Sequence, residues 1–468
     1  MFRSIILTLL LALPGLPAFA QDPDLIVLTE DENGSLSTQG GRLMGISGNG
    51  RYAAFWAMTP LVAEDTTGNQ IYVRDLVTGD LELVSATHSG LASSEPQTGV
   101  LIDASNRRTV SDDGRFVLFA SSSADLIPGV DPGAQQWLFL RDRQTQTTRL
   151  INVDNNDVPG NQSVDGHFTL DPSGIAIAFS TAASNLDPLA PNGGIFLHRT
   201  DAPIGSSVRT QAACRDRDGI PRPLSACGGF TISCGGAIMA FRGGSFYNWV
   251  EGEDLAFGET YRDFFIGNPI AGNWTRVGAD ADVPLPPDDG ILNNDAGGAP
   301  SIDCSGTRIA FWTRNELRLG DTNDPDLYVY DLIARRITLI EDPIGTSVEP
   351  PGFAFGQTLN DVSISSNGNL VAFATQRAID PNDTNGFSDV YTVEVARDPV
   401  APFDIQWVSN ALDTAGNSHA YQPYAANNGM VVSKSSADNA PWPGVNLGNG
   451  HLFAKGVTLE GIFFSGFE

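Results

Sequence analysis

Apolar residues in this chain fall in short runs between polar, glycine-rich turns, and almost nowhere at the spacing of a helical face. One pattern recurs. A polar turn ends in Gly, a basic or small residue follows, and an apolar run closes on Phe. The copies are Ser47–Phe55 (SGNGRYAAF), Ser111–Phe119 (SDDGRFVLF), Asp171–Phe179 (DPSGIAIAF), Ser233–Phe241 (SCGGAIMAF), Asp303–Phe311 (DCSGTRIAF) and Ser365–Phe373 (SSNGNLVAF). A worn copy, Ala426–Ser433 (ANNGMVVS), follows. Their glycines stand at 50, 114, 174, 236, 306, 368 and 429, about sixty residues apart, the period of an array or propeller. Ser or Asp starts the turn by bonding nearby backbone, and Gly takes the position with positive φ. The run that follows is apolar on both faces, as a strand buried between two layers must be.

A second block trails each first one: Gln70–Asp75 (QIYVRD), Trp137–Asp142 (WLFLRD), Gly194–Arg199 (GIFLHR), Asp326–Asp331 (DLYVYD) and Asp389–Glu394 (DVYTVE), with Asp263–Gly267 (DFFIG) as the fourth-repeat version. These read as third strands. They turn into outer strands at Leu81–Ser85, Thr148–Asn152, Ile337–Glu341 and Gln406–Ser409. With a short strand before each Gly turn, every unit supplies four strands, which is one propeller blade. Seven first blocks predict seven blades. The last lacks a fourth strand after His451–Ala454, and Leu25–Glu30 near the N-terminus has the character of one. The expected fold is therefore all-β, a seven-bladed propeller of four-stranded blades closed by the N-terminal strand. Closure hides the edge strands that an open array would expose.

The Ser-x-Asp-Gly-Arg-x-Val-Ala-Phe block, followed by Asp-Ile-Tyr-Val-x-Asp and Thr-Gly, resembles the repeats of TolB-like and WD40-like (PD40) bacterial propeller proteins. The likeness covers nearly all of the chain beyond residue 20. It implies the fold, and it implies function only loosely, since such blades occur both in a periplasmic envelope component and attached to peptidases. No segment matches the separate α/β domain expected of TolB itself, nor an α/β-hydrolase. The expected division is a signal peptide at 1–20, the closing strand within 21–43, propeller repeats over 44–460, and an apolar tail at 461–468.

The leader carries Arg3, an apolar run from Ile5 to Leu13, and Ala18-Phe19-Ala20 as an A-x-A cleavage site. The run is too short to span a bilayer. The basic residues are almost all arginine, with lysine only at 434 and 455, which suggests a bacterial chain from a GC-rich genome. The expected location is periplasmic or secreted. Lys plus Arg number 27 against 55 Asp plus Glu, a formal charge of −28. That field repels phosphate backbones, so nucleic acid is not an expected partner. It favours cations and basic partners.

Four cysteines, Cys214, Cys227, Cys234 and Cys304, in an exported chain point to two disulfides with three possible connectivities. Cys214 and Cys227 bracket an insert, so a local bridge would pin that loop. Cys234 and Cys304 hold the same place in adjacent repeats, which favours a bridge between blades. No C-x-x-C pair occurs, which disfavours zinc.

Acidic loops recur between second and third strands: Glu64–Asn69, Asp321–Asp326 and Asp380–Asp389. Their oxygens could hold Ca²⁺, though the order is not that of an EF-hand and Asx turns explain the same composition. The histidines are His88, His167, His198, His419 and His451, none in a metal-binding pair; His198 reads as surface or inter-blade packing. No Gly-x-Ser-x-Gly elbow occurs. An insert at Ser245–Tyr261 holds Phe246, Tyr247, Trp249, Glu251, Glu253 and Asp254, which could bind sugar or peptide or pack on its own blade. No catalytic, metal or cofactor residues are assigned. The expectation is a non-membrane-spanning, monomeric binding scaffold for a protein or glycan partner. The alternatives are a polysaccharide-active enzyme with acids in a central funnel, and a calcium-stabilised adhesion module.

Overall fold

The computed structural model describes residues 25–37, 41–65, 68–93, 108–133, 135–223, 225–244, 247–249, 262–277, 299–313, 326–340, 361–376, 379–395, 404–410, 419–436 and 451–457. Seven antiparallel blades stand around a common axis. Blade one runs from its inner strand outward through Gly41–Ile46, Tyr52–Ala57, Gln70–Asp75 and Leu81–Leu83. Blade three (Val164–Leu170 to Thr210–Ala212), blade four (Cys227–Ile232 to Asn273–Arg276), blade five (Ser301–Ile302 to Arg336–Ile340) and blade six (Val362–Ile364 to Ile405–Trp407) repeat this order. Blade two shows three strands, Phe116–Ser121, Trp137–Asp142 and Thr147–Leu150, and Val110 bridges Val117 where the inner strand would lie.

Blade seven closes the ring. Its own strands are Ala420–Ala425, Met430–Ser435 and His451–Gly456, and the N-terminal Leu25–Val27 pairs antiparallel with the last of these. The fourth strand of the last blade thus comes from the start of the chain. A closed ring leaves no blade without neighbours on both flanks.

Each recurring residue has a mechanical part. The turn glycines have φ from +66° to +86°, where a Cβ would be strained. The Ser or Asp three places earlier accepts the N–H two places beyond the Gly: Tyr52 to Ser47, Phe116 to Ser111, Ala176 to Asp171, Ile238 to Ser233, Arg308 to Asp303 and Leu370 to Ser365. Blade seven has Ala426 there, and its turn closes one residue tighter. Ala426 N–H reaches Met430 O, four residues on, where Ser47 N–H reaches Tyr52 O, five residues on. The Phe ending each block stacks on an aromatic of the third strand: Phe55 on Tyr72, Phe119 on Phe139, Phe179 on Phe196, Phe241 on Phe265, Phe311 on Tyr328 and Phe373 on Tyr391, with centroids 5.5–6.0 Å apart. Such pairs add about 0.5–1.5 kcal/mol each beyond their burial. Arg51 and Arg115, just after the Gly, form ion pairs with the Asp ending their third strands, Asp75 and Asp142.

Candidate functional site

The strand order puts the seven glycine turns on one face of the ring, close to the axis. Their second residues, with Asn49 from the third place of the first turn, join blade to blade through the backbone. Asn49 N–H donates to Asp112 O (2.9 Å), Asp112 N–H to Pro172 O (2.8 Å), Cys234 N–H to Cys304 O (2.9 Å), Cys304 N–H to Ser366 O (2.8 Å) and Asn427 N–H to Gly48 O (2.8 Å). Pro172 has no N–H to continue the series, and there the Asp171 carboxylate accepts Gly235 N–H instead (2.6 Å). Between blades six and seven the Asn427 side chain bonds Ser366 Oγ and Asn367 N–H.

The structure joins Cys234 to Cys304 within this circle, with Cα atoms 4.7 Å apart, and Cys214 to Cys227 within the blade-four insert, 6.6 Å apart. Arg108 stands in the same circle. Its Nη1 donates to Asp112 at 2.8 Å. Burial pulls its pKa below the usual guanidinium value, against the opposing influence of Asp112, Asp171 and Asp303 from three different blades. Gly48 leaves room for Asp112: a Cβ there would lie 2.2 Å from the carboxylate.

One level down, a set of hydroxyls not anticipated from the sequence ties inner strands together. Five places before the turn Gly stand Thr109, Thr169, Thr231, Ser301 and Ser363. Thr109 Oγ1 donates to Met44 O of blade one (2.7 Å) and Thr169 Oγ1 to Arg108 O of blade two (3.3 Å). Ser301 Oγ accepts Ile364 N–H of blade six (3.0 Å), and Ser363 Oγ accepts Ala425 N–H of blade seven (3.2 Å). The signal was a Ser or Thr at constant offset from five of the seven turn glycines, with Gly45 and Tyr424 at the other two.

The opposite face carries the acidic loops. Asp65 and Asp383 are buried, and each accepts a hydrogen bond from the phenol of its own blade, Tyr72 and Tyr391. Asp65 also accepts Gly68 N–H at 2.9 Å. Burial raises the Asp383 carboxyl, and its Oδ1 and the Ser388 hydroxyl have no hydrogen-bond partner among the described residues. Asp389 accepts from Ser409 Oγ, Trp407 Nε1 and Asn385. Among the described residues no group of three or more His, Cys, Asp or Glu side chains is arranged to hold a metal. Of the loop at Asp321–Asp326, residues 321–325 lie outside the described residues.

Other candidates separate in space. The inner strand of blade three carries Asp165, exposed, and His167, half-buried. Partial burial raises the Asp165 carboxyl while His167 and Ser180 lower it. His198 is buried between blades two and three. Its Nδ1 meets Thr210 Oγ1 at 2.9 Å, and that hydroxyl meets Val153 O of blade two at 2.7 Å. His451 is buried beside the N-terminal segment, His419 Nδ1 accepts Ser388 N–H, and His88 is exposed. In the insert, Trp249 packs against Phe241, Phe265 and Trp274, and Tyr247 lies under Arg222. These two aromatics pack on their own blade. Phe246, Glu251, Glu253 and Asp254 lie outside the described residues.

Beyond the outer strands of blades seven, one, two and three the chain forms a small hairpin, closed by bridges Glu30–Leu36, Ala86–Ala92, Val153–Pro159 and Arg215–Pro221. In blades one, two and three the same hairpin position holds an exposed aliphatic: Leu91 (58% exposed), Val158 (50%) and Ile220 (49%). Periodicity could not flag them, because a lone aliphatic in a polar turn carries no pattern.

Among the described residues no helix is long and apolar enough to cross a membrane. No family model matches the chain, and no curated protein matches it. Solved structures do. The propeller domain of the Trilobed protease from Pyrococcus furiosus aligns over 90% of this chain and 94% of that one, at 11% identity and a TM-score of 0.48. TolB from Acinetobacter baumannii aligns over 77% and 67%, at 13% identity and a TM-score of 0.37. Oligogalacturonate lyase from Vibrio parahaemolyticus aligns over 93% and 96%, at 11% identity and a TM-score of 0.47.

Proposed function

We propose that this propeller is an exported, non-enzymatic scaffold that binds a protein or glycan partner in the cell envelope or outside the cell. The observation that carries the reading is the row of exposed aliphatics, Leu91, Val158 and Ile220, at one position of three successive outer hairpins. Single exposed aliphatics are ordinary, but repetition at one structural position favours a contact surface. Two disulfides fit an oxidising compartment. Many described carboxylates already serve the fold. Asp75 and Asp142 pair with Arg, Asp171 and Asp303 cap turns, and Asp65 and Asp383 hold phenols.

The test compares the mature protein with a Leu91→Ser, Val158→Ser, Ile220→Ser variant, each immobilised and offered a panel of envelope glycans and an envelope protein extract. The reading expects a ligand whose affinity drops at least tenfold in the variant. Equal retention by both proteins would reject the surface.

A second reading, a polysaccharide-active enzyme, is favoured by Asp165, whose raised carboxyl lies two residues from His167 on an inner strand. Release of reducing ends or unsaturated products from a glycan of the same panel, abolished by Asp165→Asn, would establish it.

A further inference from the structure

The strand that completes blade seven is short. Three residues of the N-terminal strand pair with the last strand of blade seven: Leu25 with Lys455, Ile26 with Ala454 and Val27 with Phe453. Leu28 N–H then reaches Leu452 O at 2.8 Å. Next along the seam lies a side-chain contact between residues 422 apart in sequence. Thr29 Oγ1 and His451 Nδ1 stand 3.0 Å apart, and both residues are buried. On the other flank Arg74 of blade one donates to the carbonyls of Leu28 and Glu30. A seam this short belongs to the least stable class of element in a fold, and the bonds along its edges decide whether it holds.

Burial and Lys434 both disfavour a charged ring at His451. The charged group that bears on it is Lys434, on the adjacent strand of blade seven, and its sign is the same as that of a protonated imidazole. The carboxyl of Glu30, next to Thr29, is under the influence of Arg74 and Asp31 instead. A proton on His451 would therefore place a charge in a buried site beside an ammonium, and among the described residues no carboxylate bears on it. The way to solvate that charge is to lift the N-terminal segment away.

We propose that closure of the propeller is proton-gated, with uncharged His451 as the latch: protonation releases residues 25–37 from blade seven while the other blades stay folded. Release bares the backbone edge of Leu452–Lys455, which the closed ring hides. Burial and Lys434 both lower the affinity of His451 for a proton, so the latch holds at neutral pH and gives way on acidification.

Hydrogen exchange of the mature protein, read by mass spectrometry at pH 7.5 and pH 5.0 and corrected for intrinsic rates, tests this. Protection of peptides covering 25–37 and 451–457 should fall tenfold or more at pH 5.0, while peptides covering 176–199 of blade three change less than twofold. His451→Gln should keep its seam protected at both pH values. If that variant does not fold, a Leu25→Cys, Lys455→Cys cross-link should hold the seam at pH 5.0. Unchanged protection at pH 5.0 overturns the proposal. So does loss that spreads equally to blade three, or His451→Gln opening as the wild type does.

Discussion

Cys234 and Cys304 are joined twice: by their sulfurs, and by a hydrogen bond from Cys234 N–H to Cys304 O at 2.9 Å. Both occupy the second place of a glycine turn, in blades four and five. Both are half-buried at the axis, whereas Cys214 and Cys227 are fully buried. The axial bridge should therefore be the first reduced when dithiothreitol is titrated under native conditions, as mapped by alkylation and mass spectrometry. It closes a span of 70 residues against 13 for the local one. On a chain-entropy account that is worth about 4 kcal/mol against about 3. A Cys234→Ser, Cys304→Ser variant should stay folded, because the backbone circle remains, and should melt at a lower temperature than the wild type. A variant as stable as the wild type would mean the circle alone sets the spacing of the two blades.

What was legible in the sequence is what repeats within a blade. The Ser or Asp of the turn, its Gly and the Phe at the end of the run all act on their own hairpin, so constant spacing revealed them. The bonds between blades were harder to see. The hydroxyls of Thr109 and Ser301 repeat as regularly, but their partners Met44 O and Ile364 N–H lie some sixty residues away, and a Ser or Thr in a strand has no fixed meaning without that partner. Arg108 carries no signal in the sequence, since Asp171 and Asp303 come near it only when the blades pack around the axis. The composition of the acidic loops suits Asx turns or Ca²⁺ equally. The phenol of Tyr391, eight residues on, was the missing piece for Asp383.

Thr109→Val tests the hydroxyl tie between blades one and two. The shape is kept, but Met44 O loses its donor in a fully buried place. Leaving a buried acceptor unmet costs about 1–3 kcal/mol. Urea unfolding should show a loss in that range, and none would mean that a water or another donor replaces the hydroxyl.

Tyr391→Phe should destabilise blade six by about 1–3 kcal/mol, because it strands a buried carboxylate that already has one oxygen without a hydrogen-bond partner. Adding Asp383→Asn should recover part of that loss, since the amide carries no charge to desolvate. If the phenols alone satisfy Asp65 and Asp383, melting of the wild type should be unchanged by EDTA. A drop of several degrees on chelation, restored by Ca²⁺, would assign the loops a structural cation instead.

His198 predicts the shape of stability against pH. Thr210 Oγ1 has one proton. If it donates that proton to Val153 O, it can only accept from His198, which places a proton on Nδ1 of a neutral ring. Burial first, then Arg209 and Arg149, push the His198 pKa down to about 3. The unfolded chain takes up this proton near pH 6.5 and the folded one does not, so stability is complete above about 6.5 and falls as pH drops towards 3. One such group contributes a slope of up to about 1.4 kcal/mol per pH unit. Asp142, held down to about 2 by the Arg115 guanidinium, keeps its full contribution above the ordinary carboxylate range and loses it progressively as pH falls from about 3.8 to about 2. Between pH 6.5 and pH 4.5 the buried histidines lower stability as pH falls, while the carboxyls that burial raises, Glu30, Asp165 and Asp383, act in the opposite sense. Urea unfolding of His198→Gln across that interval should therefore show a clearly shallower slope than the wild type. Parallel slopes for the two proteins would show that the folded protein protonates His198 as readily as the unfolded chain does.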